Sequence, residues 1–307
     1  TDTGYTAEGA SETPFTGSYK ITGNSRSTSN SIVVTGGKHD ITLRDVFISS
    51  GSCPFALQGK ATVTLILQGK NTLLSGNGAA GVHVPAGTVL TVQGDGDLTV
   101  QGYTNIFTLS GAGIGGAGYN GSFGDITLQG SGIITANAGT RSAGIGGGGS
   151  DKNVTGNITI KSGTINASGG LYAAGIGSGA DNKNYSVVTI TGGTVTANGN
   201  EGAGIGGGYN ADNTNSVISI SGGTVMANGG SYGAGIGGGS SGAGGTINIS
   251  GGNVTATGST YAAGIGGGYS GAGGTIVISG GEVTATRGSK SAAGIGGGYK
   301  GAGGTIL

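Results

Sequence analysis

Hydrophobic and polar positions alternate in the second half of the chain, inside a block that recurs. One copy, residues 246–274, reads TINISGGNVTATGSTYAAGIGGGYSGAGG, and the next, residues 275–304, reads TIVISGGEVTATRGSKSAAGIGGGYKGAGG. Near the start of the first copy, Ile247 and Ile249 flank Asn248. An alternation of period two is the pattern of a β-strand that buries one face. The block therefore predicts strands separated by glycine-rich corners.

The blocks return at a nearly constant spacing, which is clearest at the isoleucine of the A-G-I-G motif. This residue occurs at Ile114, Ile145, Ile176, Ile205, Ile236, Ile265 and Ile295. Successive copies are about 30 residues apart, a period typical of repeat architectures. In a solenoid of this kind, each repeat forms one coil over the previous coil.

Four other hydrophobic positions return in the same register and predict columns of stacked side chains. The first column holds Ile158, Val188, Ile218, Ile247, Ile276 and Ile306; the second, Ile160, Ile190, Ile220, Ile249 and Ile278; the third, Ile165, Val195, Val225, Val254 and Val283; the fourth, Ala167, Ala197, Ala227, Ala256 and Ala285. Repeated slots of this kind predict parallel strands about 4.8 Å apart with the columns inside. We predict an all-β fold, a right-handed parallel β-helix (β-solenoid) with about 30 residues per coil.

Composition supports a folded chain with narrow corners. Glycine supplies 78 residues and charged residues only 8%, while hydrophobic residues still reach 34% and recur in fixed places. Disordered tracts lack such hydrophobic residues. The alanine column and the A-G-I-G motif predict a narrow corner, because glycine removes side-chain bulk and permits positive φ.

The domain prediction is one continuous solenoid in three parts. Residues 1–40 form an N-terminal cap region, 41–124 irregular early coils, and 125–307 the regular glycine-rich repeats. All five phenylalanines lie before residue 124 and can fill a wider early core. At the other end, Thr305 begins another repeat, which predicts that the parent protein continues into further domains.

Charge and cysteine content exclude several partners. The formal net charge is +0, with 13 basic and 13 acidic residues and no long basic run, so nucleic acid is not a predicted partner. No apolar stretch reaches membrane-spanning length, so no membrane insertion is predicted. A single cysteine, Cys53, excludes an intramolecular disulfide framework and a cysteine-based zinc site.

Tyrosines in two repeating positions are the main candidate binding residues. Tyr209, Tyr269 and Tyr299 follow the A-G-I-G-G-G segment, and Tyr172, Tyr232 and Tyr261 lie four positions before its isoleucine. Exposed rings in ladders present flat apolar faces and hydroxyl groups that can stack on sugars. The alternative is that the rings only cover glycine-rich corners.

Two other surface functions are weaker candidates. Asp151, Asp181 and Asp212 recur in the loops after the glycine run, and stacked carboxylates could recruit calcium, although Asn/Asp turns explain them as well. An outward threonine array could order water on an ice-binding face, although Met226 and Glu282 interrupt it. No other cofactor is predicted.

Catalytic residues are not predicted. Parallel β-helices can carry polysaccharide lyases and hydrolases, which need clustered carboxylates or a calcium ion with a basic residue. The best polar cluster is Lys38, His39, Asp40, Arg44 and Asp45, where alternation puts His39 and Asp40 on opposite faces. His83 lies between valines without triad partners, and Cys53 lacks a local base.

Parts of the chain resemble known surface proteins. The segments SGGTVMANGGSYGAGIGGG and GSTYAAGIGGG are similar to A-G-I-G-G-G repeats of large secreted or wall-attached proteins of Gram-positive, often gut-associated bacteria, and AGVHVPAGTVLTVQGDGDLTVQG is similar to clostridial carbohydrate-binding β-helix proteins. The resemblance implies extracellular display and adhesion to polysaccharide or host-surface glycan. We predict a non-catalytic adhesive module; a structural stalk, an ice-binding protein and a lyase-like enzyme are the alternatives.

Overall fold

The computed structural model describes residues 16–24, 26–103, 110–118, 121–149, 156–182 and 186–307. These parts of the chain contain 28 β-strands and no helix, so none that could cross a membrane. Every strand pairing between the named strands is parallel. The strands lie in three stacks, and each regular coil contributes one strand to each stack.

The first stack contains the strand that begins each coil. Its members are β1 (Thr16–Thr22), β3 (Lys38–Arg44), β6 (Thr62–Gln68), β9 (Val89–Gly94), β12 (Asp125–Leu128), β15 (Gly156–Ile160), β18 (Ser186–Ile190), β21 (Val217–Ile220), the first parts of β24 (Thr246–Thr257) and β26 (Thr275–Thr286), and β28 (Thr305–Ile306). In most coils a glycine-rich corner separates this stack from the second.

The second stack follows that corner. Its members are β4 (Phe47–Ser49), β7 (Lys70–Leu74), β10 (Asp97–Gln101), β13 (Ile133–Asn137), β16 (Thr164–Ser168), β19 (Thr194–Asn198), β22 (Thr224–Asn228) and the second parts of β24 and β26. Because β24 and β26 run through the corner, the first two stacks join in one 18-stranded sheet.

The third stack is a separate ten-stranded sheet, and from the third coil onward its strands have two residues each. Its members are β2 (Ile32–Thr35), β5 (Phe55–Gln58), β8 (Val82–His83), β11 (Ile114–Gly115), β14 (Ile145–Gly146), β17 (Ile176–Gly177), β20 (Ile205–Gly206), β23 (Ile236–Gly237), β25 (Ile265–Gly266) and β27 (Ile295–Gly296).

The pairing register confirms the predicted columns. In the first stack Ile218 pairs with Ile247, and Ile247 pairs with Ile276. The alanine column is continuous through the second stack, and the A-G-I-G isoleucines pair from coil to coil through the third. The fold is therefore the predicted all-β parallel β-solenoid.

The core is a hydrophobic column enclosed by the three stacks. Branched aliphatic residues fill its regular part, and Ile247 and Ile265 have no exposed surface. In the early coils larger side chains fill it, including the buried rings of Phe55 and Phe123. This agrees with the prediction that larger side chains fill the early core.

The early coils vary in length but continue the same ladder. In the third stack Ile32 pairs with Phe55, Phe55 with Val82, and Val82 with Ile114, so each of these steps along the chain is longer than the one before it. From Ile114 onward the steps are nearly constant. Strand β1 pairs with β3 over its whole length, so the ladder already includes part of the predicted cap region.

Glycine is required at two repeating positions because of its backbone conformation. The second residue of the corner pair has φ near 90°, as at Gly223 and Gly252, and the residue after the A-G-I-G isoleucine has φ between 126° and 140°, as at Gly206 and Gly237. At Gly237 an added Cβ would also lie 2.1 Å from the carbonyl oxygen of Gly266 in the next coil. Side chains other than hydrogen are strained in both conformations. The predicted positive-φ corners are thus confirmed.

Candidate functional site

The third stack is built from a closed turn that carries the candidate tyrosines on its outer side. In the coil of Ile236, the amide of Ala234 donates to the carbonyl oxygen of Gly238 at 2.9 Å, and the same bond recurs in the neighbouring coils. This bond closes the turn, and the isoleucine at its centre points into the core. The residues just before and just after the turn therefore lie side by side on the outer surface. The positions four before and four after the isoleucine are therefore neighbours.

The six predicted tyrosines lie at these two positions and form two groups. We call them together the tyrosine ridge: Tyr172, Tyr209, Tyr232, Tyr261, Tyr269 and Tyr299. Backbone amides of the later position donate to carbonyl oxygens of the earlier position in the preceding coil, as from Tyr269 to Tyr232 at 2.9 Å and from Tyr299 to Tyr261 at 2.8 Å. The coil-to-coil ladder thus fixes the spacing of the rings.

Four rings form a continuous cluster over the last three complete coils. Tyr261 and Tyr269, which belong to the same coil, have ring centroids 5.5 Å apart. Tyr232 stacks on Tyr261 at 6.2 Å, and Tyr269 stacks on Tyr299 at 5.9 Å. Edge-to-face contacts join the two stacked pairs, for example between Tyr232 and Tyr269 at 5.7 Å. Such geometries are favourable for aromatic pairs.

The remaining two rings form a separate pair beside a charged group. Tyr172 and Tyr209 meet edge to face at 5.5 Å. The guanidinium carbon of Arg141 lies 5.8 Å from the centre of the Tyr172 ring, and the same guanidinium forms an ion pair with Asp181. Arg141 occupies the tyrosine position of the preceding coil, so it continues the ridge with a cation.

Two adjacent coils each lack one of the two tyrosines. The coil of Ile205 carries Glu201 at the earlier position, and the coil of Ile236 carries Ser240 at the later position, between the two tyrosine groups. The ridge therefore contains two aromatic surfaces, and the polar side chains between them include one carboxylate.

All six tyrosines are half-buried, so their rings are less exposed than predicted. The physical reason is that each ring packs against neighbouring rings and against the closed turn beneath it. Part of each ring face therefore serves packing, while the remainder stays accessible along the ridge. This agrees partly with the alternative that the rings cover glycine-rich corners.

Two lysines complete the ridge near its C-terminal end, and sequence reasoning missed them. The ammonium nitrogen Nζ of Lys290 lies 5.4 Å from the centre of the Tyr261 ring, and Nζ of Lys300 lies 5.3 Å from that of Tyr299. Both lysines are exposed. They occupy positions five before and five after the isoleucine of the last complete coil, next to the tyrosine positions, which is the signal that could have identified them.

The calcium candidates do not form a shared site among the residues that the structure describes. Asp181 is bound to Arg141. Asp212 accepts a hydrogen bond at 3.0 Å from the amide of Thr214, and this bond and a side-chain bond from Thr214 lower the pKa of Asp212. Asp212 thus forms the Asn/Asp turn that was the alternative. Asp151 lies outside the described residues, so calcium binding stays a prediction.

The polar cluster on β3 is held in local contacts. His39 is buried and its Nε2 lies 2.9 Å from the carbonyl oxygen of Gly36, while Asp40 is exposed on the other face, as predicted. Arg44 and Asp45 form a surface ion pair at 3.7 Å. The amide of Lys70 donates to Asp45 at 3.0 Å. These contacts give Arg44 and Asp45 structural partners.

Burial also affects the two other groups considered for chemistry. It lowers the pKa of His83 and raises the pKa of the Cys53 thiol to about 11. The Cys53 sulfur also donates to the carbonyl oxygen of Phe55 at 3.1 Å. At neutral pH Cys53 is therefore a protonated thiol, and the thiolate needed for nucleophilic chemistry is scarce.

The threonine array lies on the outer face of the second stack, as predicted. Its central column is continuous in register, but Met226 within it is 48% exposed. Glu282 accepts a hydrogen bond from Asn253 at 3.3 Å. The outer face is therefore mixed in chemistry.

A shallow groove lies at the corner between the first and second stacks, where the early coils meet the regular repeats. Its lining includes Gln93, Gln129, Lys161 and Ser162, and its volume is about 520 Å³. The amide Nε2 of Gln129 donates to Oε1 of Gln93 at 2.9 Å. The groove lining contains no aromatic ring, so it offers no flat apolar face to a sugar.

The protein is a parallel β-solenoid, and a comparison of its sequence with protein families agrees with this fold. Five segments, residues 158–180, 188–209, 218–240, 247–269 and 276–299, match the family described as the beta helix repeat. No curated protein and no solved structure matches the chain. The similarity to the family concerns the repeats and the fold, and the resemblance to Gram-positive surface proteins stays a prediction.

Proposed function

We propose that this solenoid is a non-catalytic module of an extracellular bacterial surface protein and that its tyrosine ridge binds a polysaccharide. The observation that carries the proposal is the continuous cluster of Tyr232, Tyr261, Tyr269 and Tyr299, with centroid distances between 5.5 and 6.2 Å. No other surface of the described residues combines several adjacent rings with hydroxyl groups.

The chemistry of the cluster suits sugars. A pyranose ring presents C–H groups on its faces, which pack on aromatic rings, and hydroxyls around its edge, which can bond to the tyrosine hydroxyls. The rings follow the solenoid axis, so an extended polymer lying along this axis can meet several rings at once. Weak contacts then add through effective concentration.

The ridge supports binding better than catalysis. Glycoside hydrolysis usually requires two carboxyl groups that flank the scissile bond. Between its two aromatic groups the ridge carries one, Glu201, and the carboxylate of Asp181 is neutralised by Arg141.

A purely structural role is the second candidate, and one observation favours it. The six rings are half-buried and pack on one another, so they also stabilise the closed turns. In that case the solenoid is a stalk that separates other domains from the cell wall.

Replacing Tyr232, Tyr269 and Tyr299 together by alanine tests the proposal. If each ring contributes about 1 kcal/mol, the triple variant should bind a recognised polysaccharide roughly 100-fold more weakly. A glycan array followed by calorimetry measures this. Tyr19→Ala, which removes a 43% exposed ring from β1 outside the ridge, is the matched control and should bind normally.

Circular dichroism and the melting temperature establish that the triple variant is folded before its binding is interpreted. Unchanged affinity in a folded triple variant would contradict binding at the ridge. If the unaltered protein binds none of the polysaccharides on the array, the structural role is favoured instead.

A further inference from the structure

We infer that the polysaccharide bound by the ridge is anionic and that Lys290 and Lys300 recognise its acidic groups. This inference rests on the proposed function and adds the charge class of the ligand. The two ends of the ridge differ in their cations: Arg141 at the N-terminal end is paired with a carboxylate, whereas neither described ion pair includes Lys290 or Lys300 at the C-terminal end.

At the N-terminal end the cation is already neutralised. Arg141 contacts Tyr172 but forms an ion pair with Asp181, and both side chains are half-buried. Among the described residues, this end of the ridge therefore offers no unpaired cation to an external ligand.

At the C-terminal end the cations have no acidic partner within the described parts of the chain. Two ion pairs occur among the residues that the structure describes, and neither includes Lys290 or Lys300. Arg287 lies three positions before Lys290 and is also exposed. The carboxylate on the same coil, Glu282, lies on the second stack, where it bonds to Asn253. Three positive charges therefore accumulate in the last complete coil.

The position of each ammonium group determines what kind of sugar fits. Lys290 lies over the Tyr261 ring and bonds to its hydroxyl at 3.4 Å, and Lys300 lies over the Tyr299 ring. These cations occupy ring faces that a neutral sugar would use. A polysaccharide that lies along the ridge axis would bring the edge of one of its sugars to these ammonium groups at the last complete coil. An acidic substituent on that edge would receive charge-assisted hydrogen bonds.

The test compares one backbone with and without charge. Polygalacturonate and its fully methyl-esterified form share the sugar ring and linkage but differ in the carboxylate, and chondroitin sulfate adds a sulfated chain as a second source of negative charge. We expect the protein to bind polygalacturonate, chondroitin sulfate or both about ten-fold more tightly than the methyl ester at low salt, and this preference should shrink as salt is raised. The relative affinities of the two acidic chains show whether carboxylate or sulfate is preferred.

The double variant Lys290→Gln, Lys300→Gln should bind the acidic chains and the methyl ester with equal affinity, so that the preference is lost. Lys60→Gln, Lys70→Gln removes the same charge from exposed lysines outside the ridge and should keep the preference. Poly-L-glutamate, a polyanion without sugar rings, should bind at least about ten-fold more weakly than the preferred polysaccharide.

Each other outcome is informative. Equal binding of the acidic chains and the methyl ester overturns the charge assignment but leaves the proposed function standing. Equal loss of preference in both lysine variants, or strong binding of poly-L-glutamate, also overturns it, because attraction would then be nonspecific. Absence of binding to all polysaccharides overturns the charge assignment and the ridge's binding role together.

Discussion

Replacing Gly273 by alanine is expected to lower the free energy of unfolding by about 3 kcal/mol. An added Cβ at Gly273 would lie 2.1 Å from the carbonyl oxygen of Gly303 in the next coil. Because the obstacle is backbone, relief requires one coil to shift relative to its neighbour, which disturbs the ladder on both sides. Chemical denaturation followed by circular dichroism measures the change.

Gly303→Ala is the matched control. Gly303 occupies the same repeat position one coil later, where nothing lies within 4 Å of an added Cβ. The exchange should change stability by less than about 0.5 kcal/mol, as is usual for surface substitutions. If Gly273→Ala changed the free energy of unfolding as little as Gly303→Ala, the two coils could not approach each other as closely as the structure shows.

Replacing Ile247 by alanine should have an effect of similar size for the opposite reason, the loss of core volume. Ile247 is fully buried and pairs with Ile218 on one side and Ile276 on the other. Truncation of a buried isoleucine to alanine typically costs about 2 to 5 kcal/mol, and we expect about 3 to 4 kcal/mol here because the stacked neighbours cannot collapse into the gap. Urea denaturation measures the loss.

The control for Ile247 lies in the same column. Ile306 is 52% exposed, so Ile306→Ala should cost less than about 1 kcal/mol. The loss at Ile247 should also reduce the cooperativity of unfolding, because stability in a solenoid depends on contacts between neighbouring coils. Equal costs at Ile247 and Ile306 would show that the column does not bury Ile247 as the structure has it.

Much of the fold could be predicted from the sequence because the same pattern of hydrophobic positions occurs in every repeat. A single pair such as Ile218 and Ile247 predicts little, but the same spacing at five positions of the block leaves one arrangement in which all are buried together. Glycine at the position of Gly237 adds an independent signal, since that backbone conformation excludes other side chains.

The early coils were harder to place in register from sequence. The step from Ile32 to Phe55 is shorter than the regular repeat, and the step from Val82 to Ile114 is longer. Loops of variable length can be inserted at the corners while the stacked strands keep their register, so no constant period exists there to be recognised.

The geometry of the ridge depended on information that the sequence does not carry. Tyr261 and Tyr269 are eight positions apart, and only the hydrogen bond that closes the turn between them brings their rings to 5.5 Å. The pairing of Arg141 with Asp181, 40 residues later, likewise results from the way loops of adjacent coils meet. Both contacts belong to loops, where alternation does not specify which way a side chain points.

The most direct test of the solenoid is a disulfide between coils. In a Cys53→Ser background, Met226→Cys with Thr255→Cys joins paired residues of adjacent coils, whose Cα atoms are about 4.8 Å apart, within the range that a disulfide spans. Thr196→Cys with Thr255→Cys joins the same column two coils apart, at about 9.6 Å. Mass spectrometry after mild oxidation should find an intramolecular disulfide in the first protein and free thiols in the second. Free thiols in the first protein, or a disulfide formed as readily in the second, would contradict stacking of the coils in register.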